Sequence, residues 1–160
     1  MVGEKVGNKL NLASGQGVLI DCEDFEYLNQ WKWTYWHNSI SRSTTKNGKK
    51  CTIIMSREIM KPSEGQEVDH INGNALDNRR SNLRLCTKAQ NLMNKSLYRN
   101  NKSGYKGVCW NKLHKKWYAS IGHQGKAIFL GLFGDKQKAA MAYNEKAKEL
   151  FGEFARLNTT

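Results

Sequence analysis

The stretch VDHINGNALDNRRSNLRL, residues 68–85, constrains the fold of this 160-residue chain more than any other segment. It places an Asp beside a His and then uses four Asn and three Arg among only a few apolar side chains. A packed core has no use for so many amides and guanidinium groups, because each must find a hydrogen-bond partner. The segment is therefore predicted to form a polar site.

The charge of the chain indicates a polyanionic partner. Lys and Arg number 26 against 14 Asp and Glu, which gives a net charge of +12. The excess is concentrated in residues 101–160, where 11 basic side chains face four acidic ones. A field of this sign attracts the phosphates of nucleic acid. Double-stranded DNA is the expected partner, bound by a monomer.

Cysteine spacing and hydropathy indicate an intracellular protein. The four cysteines include no C-x-x-C pair, and nothing at the N-terminus has the pattern of a signal peptide. We expect reduced, buried thiols, a cytoplasmic location and no structural zinc. No apolar run approaches the ~20 residues that a membrane-spanning helix requires, so no membrane association is expected.

Residues 1–60 are predicted to form a β-rich module. The short pieces GVLIDC, WKWTYW and CTIIMS are separated by turn-prone segments, and Asn47-Gly48 is typical of a tight hairpin turn. A compact core and stacking on bases both explain its aromatic residues, Trp31, Trp33, Tyr35 and Trp36. A solvated turn and a phosphate contact both explain the lysines at the hairpin turn, Lys46, Lys49 and Lys50.

Asp69 and His70 are side chains that a phosphodiester-cleaving site needs. His is suited to act as a base because its unperturbed pKa of ~6.5 leaves much of it neutral at physiological pH. On an extended strand, adjacent side chains point to opposite faces, so one can hold a cation while the other faces the water. An isolated Asp-His pair is usually structural, and only its surroundings favour catalysis.

A short helix is predicted to follow the polar stretch. Thr87 and Gln90 have the spacing of a capping box, which places Asn91 in the first two turns of the helix. A carboxylate and an amide oxygen are ligands that a hard cation such as Mg²⁺ accepts, with DNA phosphate completing the set. Asp69 and Asn91 are therefore the candidate metal ligands.

The other polar side chains of the stretch have predicted supporting roles. Asn82, twelve residues after His70, could bridge backbone groups of the loop and hold the imidazole in place. Three guanidinium groups suit paired hydrogen bonds to phosphate oxygens: those of Arg79, Arg80 and Arg84. Three further amides are interpreted as turn formers: those of Asn72, Asn74 and Asn78.

The segment VDHINGNALDNRRSNLRLCTKAQNLMNK closely resembles the His-Asn-His (HNH) homing endonucleases of bacteriophages. These enzymes cleave DNA with a ββα-metal motif and a single divalent cation, and Asn91 places this chain with the branch whose motif ends in Asn. The resemblance implies one Mg²⁺ or Mn²⁺ per active site and a phage-encoded protein in a bacterial cytoplasm. It also implies four residue roles: His70 as general base, Asp69 and Asn91 as metal ligands, and Asn82 as the brace of the loop.

The C-terminal third is predicted to be a separate module. The pieces YKGVCW, KWYASIG and AIFLGLF indicate a three-stranded antiparallel meander, and a helix follows between Asp135 and Gly152. Residues 104–152 resemble the plant APETALA/ethylene-response-factor DNA-binding domain in their Y-K-G-V, L-G-x-F and A-A-x-A-Y segments. The resemblance implies a sheet that lies in the DNA major groove, with the helix packed behind it.

One face of this sheet is expected to contact DNA through five residues: Lys106, Trp110, Lys112, Lys116 and Lys126. Trp110 and Trp117 could instead belong to the core, and one of the two is expected to face outward. The plant domains carry several arginines that read guanine, where this chain has Cys109 and Ala127. Paired hydrogen bonds to guanine are therefore expected to be weaker here.

Together these features predict an α+β chain in four parts: a β-rich N-terminal module (1–60), a ββα-metal nuclease (61–95), a basic linker (96–103), and a β-sheet DNA-binding domain with one C-terminal helix (104–160). The expected activity is that of a site-directed, homing-type endonuclease. His70 would activate water and Arg84 or a neighbour would clamp the phosphate, leaving 5′-phosphate and 3′-hydroxyl ends. A monomer with one site is expected to nick. The alternatives are a DNA-binding regulator without activity and an RNA-binding protein that uses the aromatic-rich module.

Overall fold

The computed structural model describes residues 8–97 and 100–160, and the chain forms two compact units divided between Asn91 and Leu92. The first seven residues of the expected N-terminal module, and residues 98 and 99 of the expected linker, lie outside the described residues. Each unit combines strands with helices, which confirms the α+β class. Within the described ranges, no helix has the length and apolar character needed to cross a membrane.

The first unit is built from small antiparallel sheets and short helices. Its elements are β1 (Asn8–Asn11), β2 (Gly17–Ile20), α1 (Cys22–Leu28), β3 (Thr34–Trp36), β4 (Ser39–Lys46), β5 (Lys49–Ile54), α2 (Met55–Met60), β6 (Glu67–His70), β7 (Leu83–Cys86) and α3 (Lys88–Met93). β1 pairs with β2, β4 lies between β3 and β5, and β6 pairs with β7. A 3₁₀ turn immediately precedes β7.

One hydrophobic core holds the first unit together. Its buried side chains come from β1, β2, α1, β4 and α2, and also from Leu83 of β7, which is only 4% exposed. Val68 and Leu76, from the polar stretch, pack against the same cluster. The boundary predicted between residues 60 and 61 therefore falls inside a shared core.

The aromatic residues of this unit divide between core and surface. Trp33 is buried, and its indole N–H donates to the Leu28 carbonyl oxygen over 2.8 Å. Trp31 packs against the core, with the Arg42 guanidinium 4.2 Å from its ring centroid. Trp36, by contrast, is 69% exposed. The core interpretation therefore accounts for Trp31 and Trp33, while Trp36 lies on the surface.

The local signals at turns and helix ends have clear physical causes. Asn47 and Gly48 have φ values of 51° and 73°, the left-handed backbone that a two-residue hairpin turn between β4 and β5 requires. α2 ends at Met60, its C-cap Lys61 has a φ of 45°, and Pro62 then prevents the helix from continuing. α1 was not predicted, because seven residues are too few to establish a 3.6-residue period.

All four cysteines are free thiols, but the expectation that they are buried is wrong for three of them. Cys86, the last residue of β7, is buried, whereas Cys22, Cys51 and Cys109 are exposed. Cys22 begins α1, and Cys51 belongs to the outer half of the β4–β5 hairpin, where both strands are largely exposed. The sequence patterns therefore did not show which cysteine side chains face the solvent.

The second unit is a three-stranded meander covered by one long helix. Its elements are β8 (Val108–Asn111), β9 (Lys116–His123), β10 (Lys126–Phe133) and α4 (Lys136–Phe151). The strand order is β10-β9-β8, with each pair antiparallel. Asp135 caps α4 by accepting from the backbone N–H groups of Gln137 and Lys138. Three fully buried alanines let α4 lie close to the sheet: Ala139, Ala140 and Ala147.

Gly107 is the most closely packed of the described glycines in this unit. Its φ is +74°, a backbone conformation that residues with a Cβ rarely adopt. A Cβ built there would lie 2.2 Å from Cδ2 of Tyr143 and 2.5 Å from the carbonyl oxygen of Ser120. Tyr143 is 3% exposed, and its burial raises the pKa of the phenol to about 12. The close packing of α4 on the sheet therefore depends on the absence of a side chain at residue 107.

Candidate active site

The ribbon of β6 and β7 presents Asp69 and His70 on opposite faces. Asp69 pairs with Arg84, and His70 pairs with Leu83, so Asp69 shares one face with Arg84 while His70 shares the other with the buried Leu83. Asp69 is 6% exposed. Arg84 donates to its Oδ2 from Nε over 2.9 Å and from Nη2 over 2.7 Å. The carboxylate is thus held in one orientation beside a cation from the neighbouring strand.

The imidazole of His70 is oriented by Asn78. Nε2 of His70 and Oδ1 of Asn78 lie 3.2 Å apart, and Asn78 is 1% exposed. Asn78 Nδ2 donates to the carbonyl oxygen of Ala75 over 2.8 Å, which fixes its Oδ1 toward the ring as an acceptor. Nε2 must therefore carry the proton of the neutral ring, so the lone pair that can accept a proton is on Nδ1.

Burial lowers the pKa of His70 below its usual 6.5. The hydrogen bond with Asn78 and the negative charges of Asp69 and Asp77 act in the opposite direction, but they only partly offset the burial. A lower pKa increases the fraction of neutral imidazole at physiological pH. The site therefore favours the protonation state that a general base needs.

Asn82 braces the loop between the two strands. Its Oδ1 accepts from the backbone N–H of Asn72 over 3.0 Å. Its Nδ2 donates to Oδ1 of Asn72 over 3.0 Å and to the carbonyl oxygen of Asp77 over 2.7 Å. Asn72 and Asn74 also accept from backbone N–H groups two residues ahead, as turn-forming amides do. One amide thus ties both ends of the loop to the 3₁₀ turn.

The same loop is anchored to β2. Leu19 donates its N–H to the carbonyl oxygen of Leu76 and accepts from the N–H of Asn78, both over 2.8 Å. This places a parallel bridge between Leu19 and Asp77. The backbone of Asn78, the residue that orients His70, is therefore positioned by an N-terminal strand. Sequence patterns gave no signal for this contact, because it joins segments more than fifty residues apart.

Each of the three arginines of the polar stretch has a carboxylate partner in the structure. The sequence had indicated phosphate contacts for these arginines and had not indicated these acids. Arg79 donates to both oxygens of Asp77 over 2.8 Å. Arg80 donates to Asp24 over 2.7 and 3.1 Å. With Arg84 on Asp69, each guanidinium holds a buried or partly buried acid of the fold. Only the short spacing of Asp77 and Arg79 could have indicated such a pair in advance.

Asp77 is an acid-sensitive point of this loop. Its carboxylate is 4% exposed, and the hydrogen bonds from Arg79 hold its pKa below the usual 3.8. A group whose pKa is lower in the folded state stabilises the fold above its unfolded pKa, and that contribution is lost as the pH falls through the folded value.

Replacing Asp77 with Asn is therefore expected to lower the free energy of unfolding of the first unit by about 1–3 kcal/mol at neutral pH, because the charged hydrogen bonds are lost. The difference from the wild type should shrink as the pH falls below 3.8. Urea unfolding at several pH values measures it, with the exposed Glu26→Gln as control. An equal difference at all pH values would contradict the role of the ionised carboxylate.

The helix α3 brings Asn91 to the ribbon. The backbone N–H of Thr87 donates to Oε1 of Gln90 over 2.8 Å, and the N–H of Gln90 donates back to Oγ1 of Thr87 over 3.2 Å. This reciprocal capping box starts the helix where the sequence predicted. Asn91 Nδ2 then donates to Oε2 of Glu67 on β6 over 2.6 Å. Glu67 is thus a further acid of the site that sequence reasoning missed.

The donor chemistry of the site fits a hard divalent cation. Asp69 offers carboxylate oxygen, and the carboxamide of Asn91, whose nitrogen is engaged by Glu67, offers its oxygen. Oxygen donors of this kind suit Mg²⁺ or Mn²⁺ completed by water and phosphate. Within residues 8–97 and 100–160 there is no group of three or more His, Cys, Asp or Glu placed to bind a metal. The candidate set therefore depends on one acid and one amide.

The C-terminal sheet does not present the predicted DNA-binding residues on one face. Trp110 pairs with Trp117, next to the Val108–Ala119 pair that packs on α4, so both tryptophans lie on the helix-facing side. The expectation that one of them faces outward is wrong. Trp110 is nevertheless 48% exposed, and it belongs to β8, an edge strand of the sheet.

The lysines predicted on that face are also separated from one another. Lys126 pairs with His123, and the ring centroid of His123 lies 5.9 Å from that of Phe151 of α4. Lys126 is therefore on the helix-facing side of the sheet, at the start of β10. Lys112 lies in the turn between β8 and β9. Lys116 alternates with Trp117 and so lies on the opposite, outer face. We define this outer face by Cys109, Lys116, Tyr118, Ser120, Phe129 and Leu132.

The ammonium of Lys106 contacts the backbone instead of projecting from the sheet. It donates to the carbonyl oxygens of Met93 over 2.6 Å and of Lys95 over 2.9 Å. Burial, and to a smaller extent the charge of Arg156, lower its pKa to about 8. The predicted phosphate contact of Lys106 is therefore replaced by a structural one that holds the segment before the sheet.

The ribbon, the braced loop and the capped helix together form a ββα-metal motif of the HNH kind. An HNH endonuclease family model matches residues 61–93, which contain this motif. An uncharacterized HNH endonuclease of Acanthamoeba polyphaga mimivirus is 42% identical over 107 residues, which are 67% of this chain and 53% of that protein. Protein 3.8 of Escherichia phage T7 is 33% identical over 93 residues, 58% of this chain and 76% of that protein.

The chain therefore belongs to the HNH endonuclease family. It spans about half the length of the mimivirus relative. The C-terminal region is similar to part of dehydration-responsive element-binding protein 2A of Arabidopsis thaliana, with 39% identity over 61 residues, 37% of this chain and 18% of that protein. No solved structure gave a significant match.

Proposed function

We propose that this protein is a metal-dependent DNA endonuclease that hydrolyses a phosphodiester bond with His70 as general base. The proposal rests on one observation: Asn78 fixes the orientation of the His70 ring, and His70 is the neighbour of Asp69 on the same strand. A ring held in one orientation with its proton on Nε2 presents Nδ1 as the acceptor that a general base needs. Membership of the HNH family supports the same chemistry.

His70 takes the proton from the attacking water at Nδ1. The charge that then develops on the ring is stabilised through the Nε2–H bond to Asn78 and by the nearby carboxylates of Asp69 and Asp77. Asn82 keeps the loop in the shape that this arrangement needs. The residues thus supply a base whose geometry is set before DNA arrives.

Asp69 and Asn91 would hold one Mg²⁺ or Mn²⁺. When bound, the cation supplies positive charge for the phosphate oxygens and the leaving 3′ oxygen. Arg84 holds Asp69 in one orientation, and its positive charge lies on the same face, where it would attract the incoming phosphate. The products would carry 5′-phosphate and 3′-hydroxyl ends.

The second unit would bind double-stranded DNA and bring the nuclease to its site. Its outer face combines Lys116 with the rings of Tyr118 and Phe129, whose centroids lie 5.1 Å apart with an angle of 31° between their planes. The name of the plant relative, an element-binding protein, supports DNA as the partner. We assign the contact to this outer face, in place of the set centred on Trp110. Target choice by this unit would make the enzyme site-directed, as homing requires.

Supercoiled plasmid DNA provides the test. A monomer with one site should convert it first to the open circle in Mg²⁺, and should leave it intact with a chelator. Linear DNA as the earliest product would argue against nicking. Tight binding without cleavage in Mg²⁺ or Mn²⁺ would instead support a DNA-binding regulator, the alternative that the close pairing of Asp69 with Arg84 favours.

A further inference from the structure

Glu67 occupies a position that the proposed mechanism does not use. It lies two residues before Asp69 on β6, so the two acids share one face of the ribbon. Its side chain is partly buried, and its Oε2 accepts from Asn91 Nδ2 over 2.6 Å. The contact joins the ribbon to the helix at the residue proposed to ligate the cation.

A carboxamide ligand has a choice of orientation that a carboxylate lacks. Its two ends have nearly the same shape, but only the oxygen can bind a cation, and the NH₂ group repels one. A half-turn of the Asn91 amide would therefore remove the ligand without moving the helix. Some other group must select the orientation in which the oxygen is available.

Glu67 makes this selection by charge. A carboxylate accepts hydrogen bonds and donates none, so it binds the NH₂ end of Asn91 and repels the oxygen end. The oxygen is then turned away from Glu67. Hydrogen bonds to charged groups are also stronger than neutral ones, which favours the selected orientation.

We propose that Glu67 is a positioning residue that sets the carboxamide oxygen of Asn91 for cation binding. The inference rests on the proposed function, since it assigns a role within the same metal site. Glu67 acts through Asn91 and is not itself a ligand. Groups that orient a ligand in this way typically change metal affinity by about 10–100-fold when they are removed.

Metal affinity of the full chain tests this role without any cleavage assay. Binding of Mn²⁺ is measured by electron paramagnetic resonance, and binding of Mg²⁺ by calorimetry, for the wild type, Glu67→Ala, Glu67→Gln and Asn91→Ala. Glu67→Ala should weaken binding by about 10–100-fold. Glu67→Gln should keep most of the affinity, because its Oε1 can still accept from Asn91. Glu64→Ala removes an exposed charge from the same segment and should leave the affinity unchanged.

The double variant Glu67→Ala/Asn91→Ala separates positioning from direct binding. If Glu67 acts only through Asn91, its loss should have no further effect once Asn91 is gone. An equal loss in both backgrounds, or a Glu67→Gln variant as weak as Glu67→Ala, would overturn the inference. No metal binding by the wild type would overturn the proposed function as well, whereas normal binding by Glu67→Ala would overturn the inference alone.

A wild-type measurement keeps the test independent of how the variants fold. In the ¹⁵N-labelled chain, one side-chain NH₂ proton of Asn91 should be shifted downfield by its bond to the carboxylate of Glu67. In the Glu67→Gln variant the shift should decrease but remain. Two equivalent, solvent-like NH₂ protons in the wild type would show that the bond is absent and would reject the inference.

Discussion

Replacing His70 with alanine is expected to lower the rate of DNA cleavage by about 10²–10⁴-fold, the usual contribution of a positioned general base. The fold should survive, because the ring is only partly buried and the loop is held by Asn82 and by β2. Affinity for Mg²⁺ and for DNA should stay near the wild-type values. Single-turnover cleavage of supercoiled DNA, with calorimetry for the metal, measures both quantities.

The control for this variant is His114→Ala, which removes an exposed histidine from the turn before β9. It should cleave at the wild-type rate. A His70→Ala protein that still cleaves at a comparable rate would remove His70 from the mechanism. Loss of metal binding together with cleavage would mean that His70 is a ligand and not the base.

Replacing Gly107 with alanine should destabilise the second unit by about 3 kcal/mol, since it combines a left-handed backbone with a forced contact in a packed core. The new Cβ would overlap the ring of Tyr143 and the carbonyl oxygen of Ser120, and neither can move without displacing α4 or β9. Hydrogen exchange of β9 amides in the full chain should show the loss. DNA affinity should fall with it, while exchange in β6 and β7 should not change.

Gly122 provides the matched control on β9. A Cβ at this position would meet no atom within 4 Å, so Gly122→Ala should be neutral or slightly stabilising. Wild-type exchange rates in Gly107→Ala would contradict the packing argument. If both variants were equally destabilised, the loss of stability would come from strand flexibility and not from the contact with Tyr143.

Short-range signals in the sequence predicted local structure well. The capping box of Thr87 and Gln90, the turn at Asn47-Gly48 and the cap at Asp135 are each present, because neighbouring residues alone determine them. The placement of Asn91 on a helix beside the ribbon followed from the same kind of signal. Adjacent positions on a strand were likewise enough to separate Asp69 from His70.

Features that depend on distant contacts were not predictable in this way. The partner of Arg80 is Asp24, on a helix that the sequence patterns did not reveal. The face of Trp110 depends on strand register, and a residue can be assigned to the wrong side when only alternation is known. Glu67 belongs to no sequence motif, and its role can be inferred only from its contact with Asn91 in the structure.

The shared hydrophobic core of the first unit determines which segment of this chain could be moved into another protein and still fold. A fragment limited to residues 61–93 would expose Leu83 and Val68 to water and would lose the β2 backbone that supports Asn78. A chimeric nuclease would therefore need the chain from Asn8 through α3.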